Sequence, residues 1–279
     1  HQQIIKALVT GSRAEDLPAV VVTFFPHPQL VLKEESRPFY LTLPETRARL
    51  LGQLGVDYVY TWPFDRETSQ LSAREFVSRL YDQFHFEKLL IGYDFALGKD
   101  REGNAEVLRS IGREMGYSVE QIPPYYFQGS LVSSSRIREQ LREGNVRMAA
   151  ALLGRDFEVT GRVIHGDDRG KSLGFATCNL EVHPQLVDLK PGVYACKAEI
   201  QGDTWKAVTN IGFRPTFGED LESPRIEAHL LDFSGDLYGK QVRLSFVERL
   251  RDEKKFPEVS SLIAQIQRDI NQTRQILDQ

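Results

Sequence analysis

Two rhythms of apolar residues divide the 279-residue chain. In the first half, short apolar runs alternate with amphipathic stretches. "AVVVTFF" (19–25), "DYVYTWPF" (57–64) and "KLLIGYDF" (88–95) are rich in β-branched and aromatic residues and read as strands. The first and third are apolar enough for burial on both faces of a sheet. Around them "ETRARLLGQLG" (45–55), "AREFVSRLYDQF" (73–84) and "NAEVLRSIGREMG" (104–116) read as helices. This alternation predicts a parallel sheet flanked by helices, with ligands at the carboxyl ends of the strands. Two further helices, 134–144 and 146–154, close the region, with Gly144 and Gly154 placed as C-terminal caps.

Past Arg155 the rhythm changes. "FEVTGRVIHG", "GVYACKAEIQGDTWKAVTNIGF", "RIEAHLLDF" and "QVRLSFVERL" are strand-like and separated by Gly, Pro and Asp turns without intervening helices. That pattern predicts an antiparallel sheet or small barrel. A last helix, 258–277, carries an apolar stripe of Leu262, Ile263, Ile266 and Ile270. The reading is therefore two domains, 1–154 and 155–279.

Composition narrows the function classes. Apolar residues make up 41% and charged residues 27%, ordinary values for a globular protein, and the net charge of −4 argues against nonspecific nucleic-acid binding. Cys178 and Cys196, the only cysteines, exclude a cysteine-built metal cluster and a secreted disulfide framework. They could form one disulfide, but a reducing, cytoplasmic location is the better expectation. No apolar run approaches the ~18 residues of a membrane span, and no signal-peptide pattern opens the chain. Self-association is left open. The first residue is His1 rather than Met, so residues upstream are expected.

Candidate chemistry follows the predicted strands. Two prolines flank His27 in "TFFPHP", which suits either a phosphate contact or a stiff strand exit. Asp94 in "GYDFALG" lies between Gly92 and Gly98, where a ligand or an ordinary loop would fit. In "VSSSRIR", Ser133, Ser134 and Ser135 meet Arg136 and Arg138 at a helix start. That is a place for an anion, or for simple N-capping beside solvated arginines.

"GDDRGKS" (166–172) comes within one residue of a phosphate-binding P-loop, but His165 stands where a glycine is required and no helix follows. A glycine-rich connection between strands can still wrap phosphates, with Lys171 supplying charge. Thr177 and Asn179, two apart on an extended segment, point the same way and carry oxygens suited to Mg²⁺. A flexible hairpin is the alternative. Glu227 in "RIEAHLLDF" reads as a solvent-facing strand residue unless a phosphate site adjoins it.

"TFFPHP", "GYDFALG", "SSSRIR", "GKSLGFATCNL", "NIGFRPTFG", "IEAHLLDFSGDLYGK" and "LRDEKKF" occur in one order. So arranged, the chain resembles the bifunctional bacterial riboflavin kinase/FMN adenylyltransferases (FAD synthetases) over nearly its whole length. The resemblance implies a Rossmann-like nucleotidyltransferase domain followed by a six-stranded Greek-key barrel and a C-terminal helix. It implies ATP, riboflavin and FMN as small-molecule substrates, FAD as product and Mg²⁺ in both steps.

By the same resemblance, Gly166, Gly170, Lys171, Ser172 and Gly174 form the kinase ATP-phosphate loop. Thr177 and Asn179 are its Mg²⁺ and phosphate ligands, although the family's P-T-A-N is here A-T-C-N. Glu227 is the general base, Asn210 lies near the nucleotide and Arg251 near the flavin. His1, His27, Ser134, Ser135, Arg136 and Arg138 match adenylyltransferase phosphate positions, and Asp94 the flavin-side loop. The family's G-x-F-D-G-x-H-x-G-H motif is matched only at its end, at "HQQII". For a chain truncated at His1, the expectation is lost or severely impaired FAD synthesis with kinase activity retained. The rival expectations are a monofunctional riboflavin kinase with an impaired first domain and a flavin carrier without turnover. A carrier has no need of a base at Glu227.

Overall fold

The apolar runs of the first half form parallel strands in the computed structural model of the protein, which describes residues 1–33, 39–165, 175–213 and 224–278. Helix α1 (Gln2–Ala14) leads to β1 (Val20–Phe25), the short α2 (Pro28–Lys33), α3 (Pro44–Gln53) and β2 (Tyr58–Pro63). β1 and β2 run parallel, with Val20 opposite Tyr58 and Phe25 opposite Pro63. The unit repeats through α4 (Ala73–Phe84), β3 (Lys88–Gly92), α5 (Ala105–Met115) and β4 (Ser118–Ile122), with Lys88 opposite Ser118 and Gly92 opposite Ile122. A small hairpin of β5 (Tyr126–Phe127) and β6 (Ser130–Leu131) follows.

Local chemistry starts these helices. At α4, the Ser72 hydroxyl accepts from the Glu75 amide at 3.2 Å, and the Glu75 carboxylate accepts from the Ser72 amide at 2.8 Å. Asn104 caps α5 by accepting from the amides of Glu106 and Val107 at 3.0 and 3.1 Å. Between them, Val77, Ile91, Leu108, Ile111 and Tyr117 pack as one cluster. Gly98 has φ +76°, and a Cβ there would lie 2.5 Å from the Ala73 backbone nitrogen, so the loop after β3 needs glycine to pass the start of α4.

The chain divides into two compact units, one of His1–Arg37 with Thr42–Val132 and the other of Pro38–Leu41 with Ser133–Gln279. The second contains α6 (Ser134–Glu143) and α7 (Val146–Leu153), which end at Gly144 and Gly154 in the left-handed conformation (φ +84° and +71°).

A closed barrel fills the rest of this unit. Its strands are β7 (Phe157–Ile164), β8 (Cys178–Glu181), β9 (Gly192–Ile200), β10 (Asp203–Phe213), β11 (Pro224–Leu230) and β12 (Gln241–Arg251). They close in the order β7-β8-β11-β10-β9-β12, and every neighbouring pair is antiparallel. β9, β10 and β11 pair in succession and β12 returns beside β9, which is the Greek-key arrangement. Phe157, Tyr194, Cys196, Leu244 and Phe246 are fully buried. Cys178 and Cys196 are both free thiols, and burial pushes them up to about 11 and about 12.

Helix α8 (Val259–Leu277) sets Ile266 and Ile270 against Val193, Val208, Leu231, Leu250 and Phe175. The predicted stripe holds at Ile266 and Ile270 but not at Ile263. Ile263 is 37% exposed, while Asp269 and Thr273 are buried on the packed face.

Candidate active site

Four of the kinase-half candidates, Asn179, Asn210, Glu227 and Arg251, share the outer face of the barrel. Strand alternation sends Ile226, Ala228 and Leu230 of β11 into the core and leaves Arg225, Glu227 and His229 on the other face. Register then does the assembling. Glu227 lies opposite Asn179 of β8 on one side and opposite Asn210 of β10 on the other. Val193 of β9 lies opposite Asn210, and Arg251 of β12 opposite Val193. Side chains at paired positions share a face with Cβ atoms ~5 Å apart. Asn179, Glu227, Asn210 and Arg251 are thus rungs of one ladder, gathered from four strands.

Each is held by a specific partner. Arg225 Nε donates to Asn179 Oδ1 at 3.0 Å and lies 2.7 Å from Glu227 Oε1. Asn210 Nδ2 donates to Glu253 Oε1 at 3.2 Å. That carboxylate lies over Gly212, where a Cβ would approach Oε1 to 2.5 Å. His229 Nδ1 lies 2.8 Å from the carbonyl oxygen of Ala176, an acceptor only, so the imidazole donates from Nδ1. This bond fixes the segment leading to Thr177, which is exposed, and Asn179, which is buried. Gly166, Gly170, Lys171, Ser172 and Gly174 lie outside the described residues.

Arg251 is committed elsewhere on its rung. Its Nε and Nη2 form a fork on the buried carboxylate of Asp269 in α8, at 2.8–3.1 Å, and Nη1 donates to the Asp252 carbonyl at 2.9 Å. Gln265 Nε2 adds a bond to Asp269 at 2.8 Å. The guanidinium is a strut between barrel and helix.

In the first unit, His27 follows the carboxyl end of β1 and opens α2. Its Nδ1 accepts from the Gln29 amide at 3.1 Å, which leaves Nε2 as the protonated nitrogen of the neutral ring. Asp94 lies two residues beyond β3; its side chain is exposed, and its carbonyl accepts from Arg101 Nη2 at 2.9 Å. Tyr93 and Phe95 flank it, and Tyr125 and Tyr126 follow β4 at the same end of the strand pair. All four aromatic residues are exposed by more than a third. His1 caps α1 through its carbonyl, which accepts from the Ile5 amide at 3.0 Å.

In the second unit, the start of α6 divides its labour. Ser133 is the N-cap and accepts from the Arg136 amide at 3.3 Å, while Ser134 and Ser135 begin the helix. Arg138 Nε donates to the Phe39 carbonyl at 2.6 Å, and its guanidinium stacks 3.8 Å above the Phe39 ring. Arg136 Nη1 is buried and, among the described residues, unpartnered. A buried donor in that condition suits an anionic ligand.

A carboxylate flanked by two amides, as on this ladder, is able to orient a hydroxyl. Among the described residues no three His, Cys, Asp or Glu side chains converge on a metal position. A divalent cation here would lean on few protein oxygens and on phosphates, as Mg²⁺ commonly does. The convergence of Asn179 Oδ1 and Glu227 Oε1 on the Arg225 guanidinium shows that these oxygens favour a cation. Sequence reasoning missed Arg225, Glu253, Asp269 and the aromatic group around Asp94.

Comparison with known proteins covers both halves. A family model described as FAD synthetase matches residues 1–136, and one described as riboflavin kinase matches residues 153–277. The bifunctional riboflavin kinase/FMN adenylyltransferase of Bacillus subtilis (strain 168) is 34% identical over 273 residues, which are 96% of this chain and 85% of that protein. Its counterpart in Escherichia coli (strain K12) is 34% identical over 96% of this chain and 86% of its own length. The Pseudomonas fluorescens protein of the same name is 36% identical over 98% and 88%. Among solved structures, that of a macrolide-efflux protein from Streptococcus pneumoniae aligns with TM-score 0.88 and 32% identity, covering 98% of this chain and 89% of its own. Among the described residues of this chain, no helix is long and apolar enough to cross a membrane.

Proposed function

The chain belongs to the bifunctional riboflavin kinase/FMN adenylyltransferase family, and from that premise we propose that residues 155–279 phosphorylate riboflavin and residues 1–154 adenylylate FMN. The observation that carries the kinase reading is the ladder in which Glu227 stands between Asn179 and Asn210. Glu227 accepts the proton of the ribityl 5′-hydroxyl as that oxygen attacks the γ-phosphorus of ATP, and ADP leaves. Phosphoryl transfer is mainly positioning and charge neutralisation, so one orienting carboxylate suffices. Thr177 and Asn179 are the residues that would hold Mg²⁺, with Gly166, Gly170, Lys171, Ser172 and Gly174 as the phosphate loop. Bound there, Mg²⁺ would neutralise phosphate charge. Asn210, held by Glu253, keeps the nucleotide side of the ladder in order, and Arg251 supports the flavin side through Asp269.

In the second reaction a phosphate oxygen of FMN attacks the α-phosphorus of ATP and pyrophosphate leaves. Donors and cations carry such a step. His1 and His27 in the first unit, and Ser134, Ser135, Arg136 and Arg138 in the second, match family phosphate positions, and Arg136 has a buried Nη1 without a partner among the described residues. Asp94 and its exposed aromatic neighbours suit the flavin ring. A cytoplasmic location fits the two free cysteines.

Incubation of the protein with riboflavin, ATP and Mg²⁺, followed by chromatographic separation of the flavins, tests the assignment. The expected result is FMN formed from riboflavin and FAD formed from added FMN. Riboflavin recovered unchanged would refute the kinase, and FMN recovered unchanged would refute adenylyl transfer by this chain.

A further inference from the structure

Arg225 is the cation at the Asn179–Glu227 end of the kinase ladder. One nitrogen, Nε, reaches both Asn179 Oδ1 at 3.0 Å and Glu227 Oε1 at 2.7 Å. The guanidinium therefore gathers the amide proposed to face the metal and the carboxylate proposed to take the substrate proton. Strand geometry makes this placement firm. Positions 225 and 227 share a face of β11, Arg225 is opposite Gly212, and Glu227 is opposite both Asn179 and Asn210. Both side chains of the ion pair are more than two-thirds buried, with exposures of 28% and 30%.

We propose that Arg225 holds the cation position of the metal-free kinase site and yields it to the divalent ion, so that it sets how readily the site takes metal. Each oxygen that accepts from the Arg225 guanidinium has one lone pair committed to a cation already. A dication would also share two oxygens with a positive group a few ångströms away, a repulsion that exceeds about a tenfold effect on affinity even in a water-like dielectric. The proposal rests on the reading of Asn179 as a metal ligand.

Mn²⁺ binding to the protein–ADP complex, followed by electron paramagnetic resonance, tests it alongside the ADP affinity of the metal-free protein. Arg225→Gln should bind Mn²⁺ at least about tenfold more tightly with metal-free ADP affinity unchanged, whereas Arg225→Lys, which keeps the charge but not the planar guanidinium, should gain less than the glutamine variant. Arg225→Met, which keeps much of the aliphatic stem, supplies the same measurement should the glutamine variant fold poorly. Unchanged or weaker Mn²⁺ binding in the neutral variants overturns the proposal. Weakened metal-free ADP binding overturns it as well, because Arg225 would then be a phosphate ligand. Asn179→Ala separates the two levels. Weakened Mn²⁺ binding supports Asn179 as a ligand, so a null result at Arg225 would then count against Arg225 alone. Unchanged binding removes the ligand reading and the proposal with it.

Discussion

Asp57 shows how much one exposed side chain can organise. Its carboxylate accepts from both terminal nitrogens of Arg13 at 2.8 Å and from the Ala19 amide at 2.8 Å, joining the end of α1 to the entry of β1. The Arg13 hydrogen bonds, aided by the Ala19 amide, hold its pKa down at about 2, below the usual carboxylate value of ~3.9. A depressed carboxylate stabilises the fold above its unfolded-state pKa, and that contribution is lost as pH falls towards the folded value. The urea midpoint of wild type should therefore exceed that of Asp57→Asn at pH 6, and the two should converge between about pH 4 and pH 2. A gap that stays constant through that range would contradict the latch. Residues of this kind are hard to read from sequence. Glu227, Asn179 and Asn210 could be named because their motifs recur in order, but Arg225 and Glu253 look like ordinary solvated charges. The register of β8 and β11 brings Arg225 to the ladder, and the segment after β12 brings Glu253 to Asn210.

At the scale of elements, α8 is fixed to the barrel by more than its apolar face. Asp269 is almost fully buried and receives the fork of Arg251 and the amide of Gln265. Removing one partner of a buried pair leaves a charge uncompensated. Asp269→Asn should cost about 3 kcal/mol in urea unfolding and raise KM for riboflavin more than it lowers kcat. A cost below about 1 kcal/mol would show that the helix is held by Ile266 and Ile270 alone. The helical period announced α8, but it could not announce that a carboxylate would face inward, since the partner, Arg251, lies off the helix at the end of β12. The same limit explains β4. "SVEQI" alternates polar and apolar residues too weakly to be read as a strand, and it is one because β3 lies alongside. α1 was missed for a different reason: "HQQII" reads as the end of a phosphate motif rather than as the start of an amphipathic helix.

For the whole molecule, the change of rhythm near 155 carried the fold class, and the strand alternation carried the barrel wall. The strand pattern alone left an open sheet or a small barrel, because β7 meets β12 across most of the barrel sequence; the resemblance supplied closure, and the structure has it. The functional reading stands on the run of pairings β8-β11-β10-β9-β12, which sets the ladder residues of four strands on one face. The most direct test is Glu227→Gln, assayed separately for riboflavin phosphorylation and for conversion of added FMN to FAD. The account predicts that kcat for riboflavin phosphorylation falls by about 10²–10⁴-fold, as for loss of a general base, with FAD formation from FMN unchanged. Riboflavin phosphorylation at the wild-type rate would contradict it.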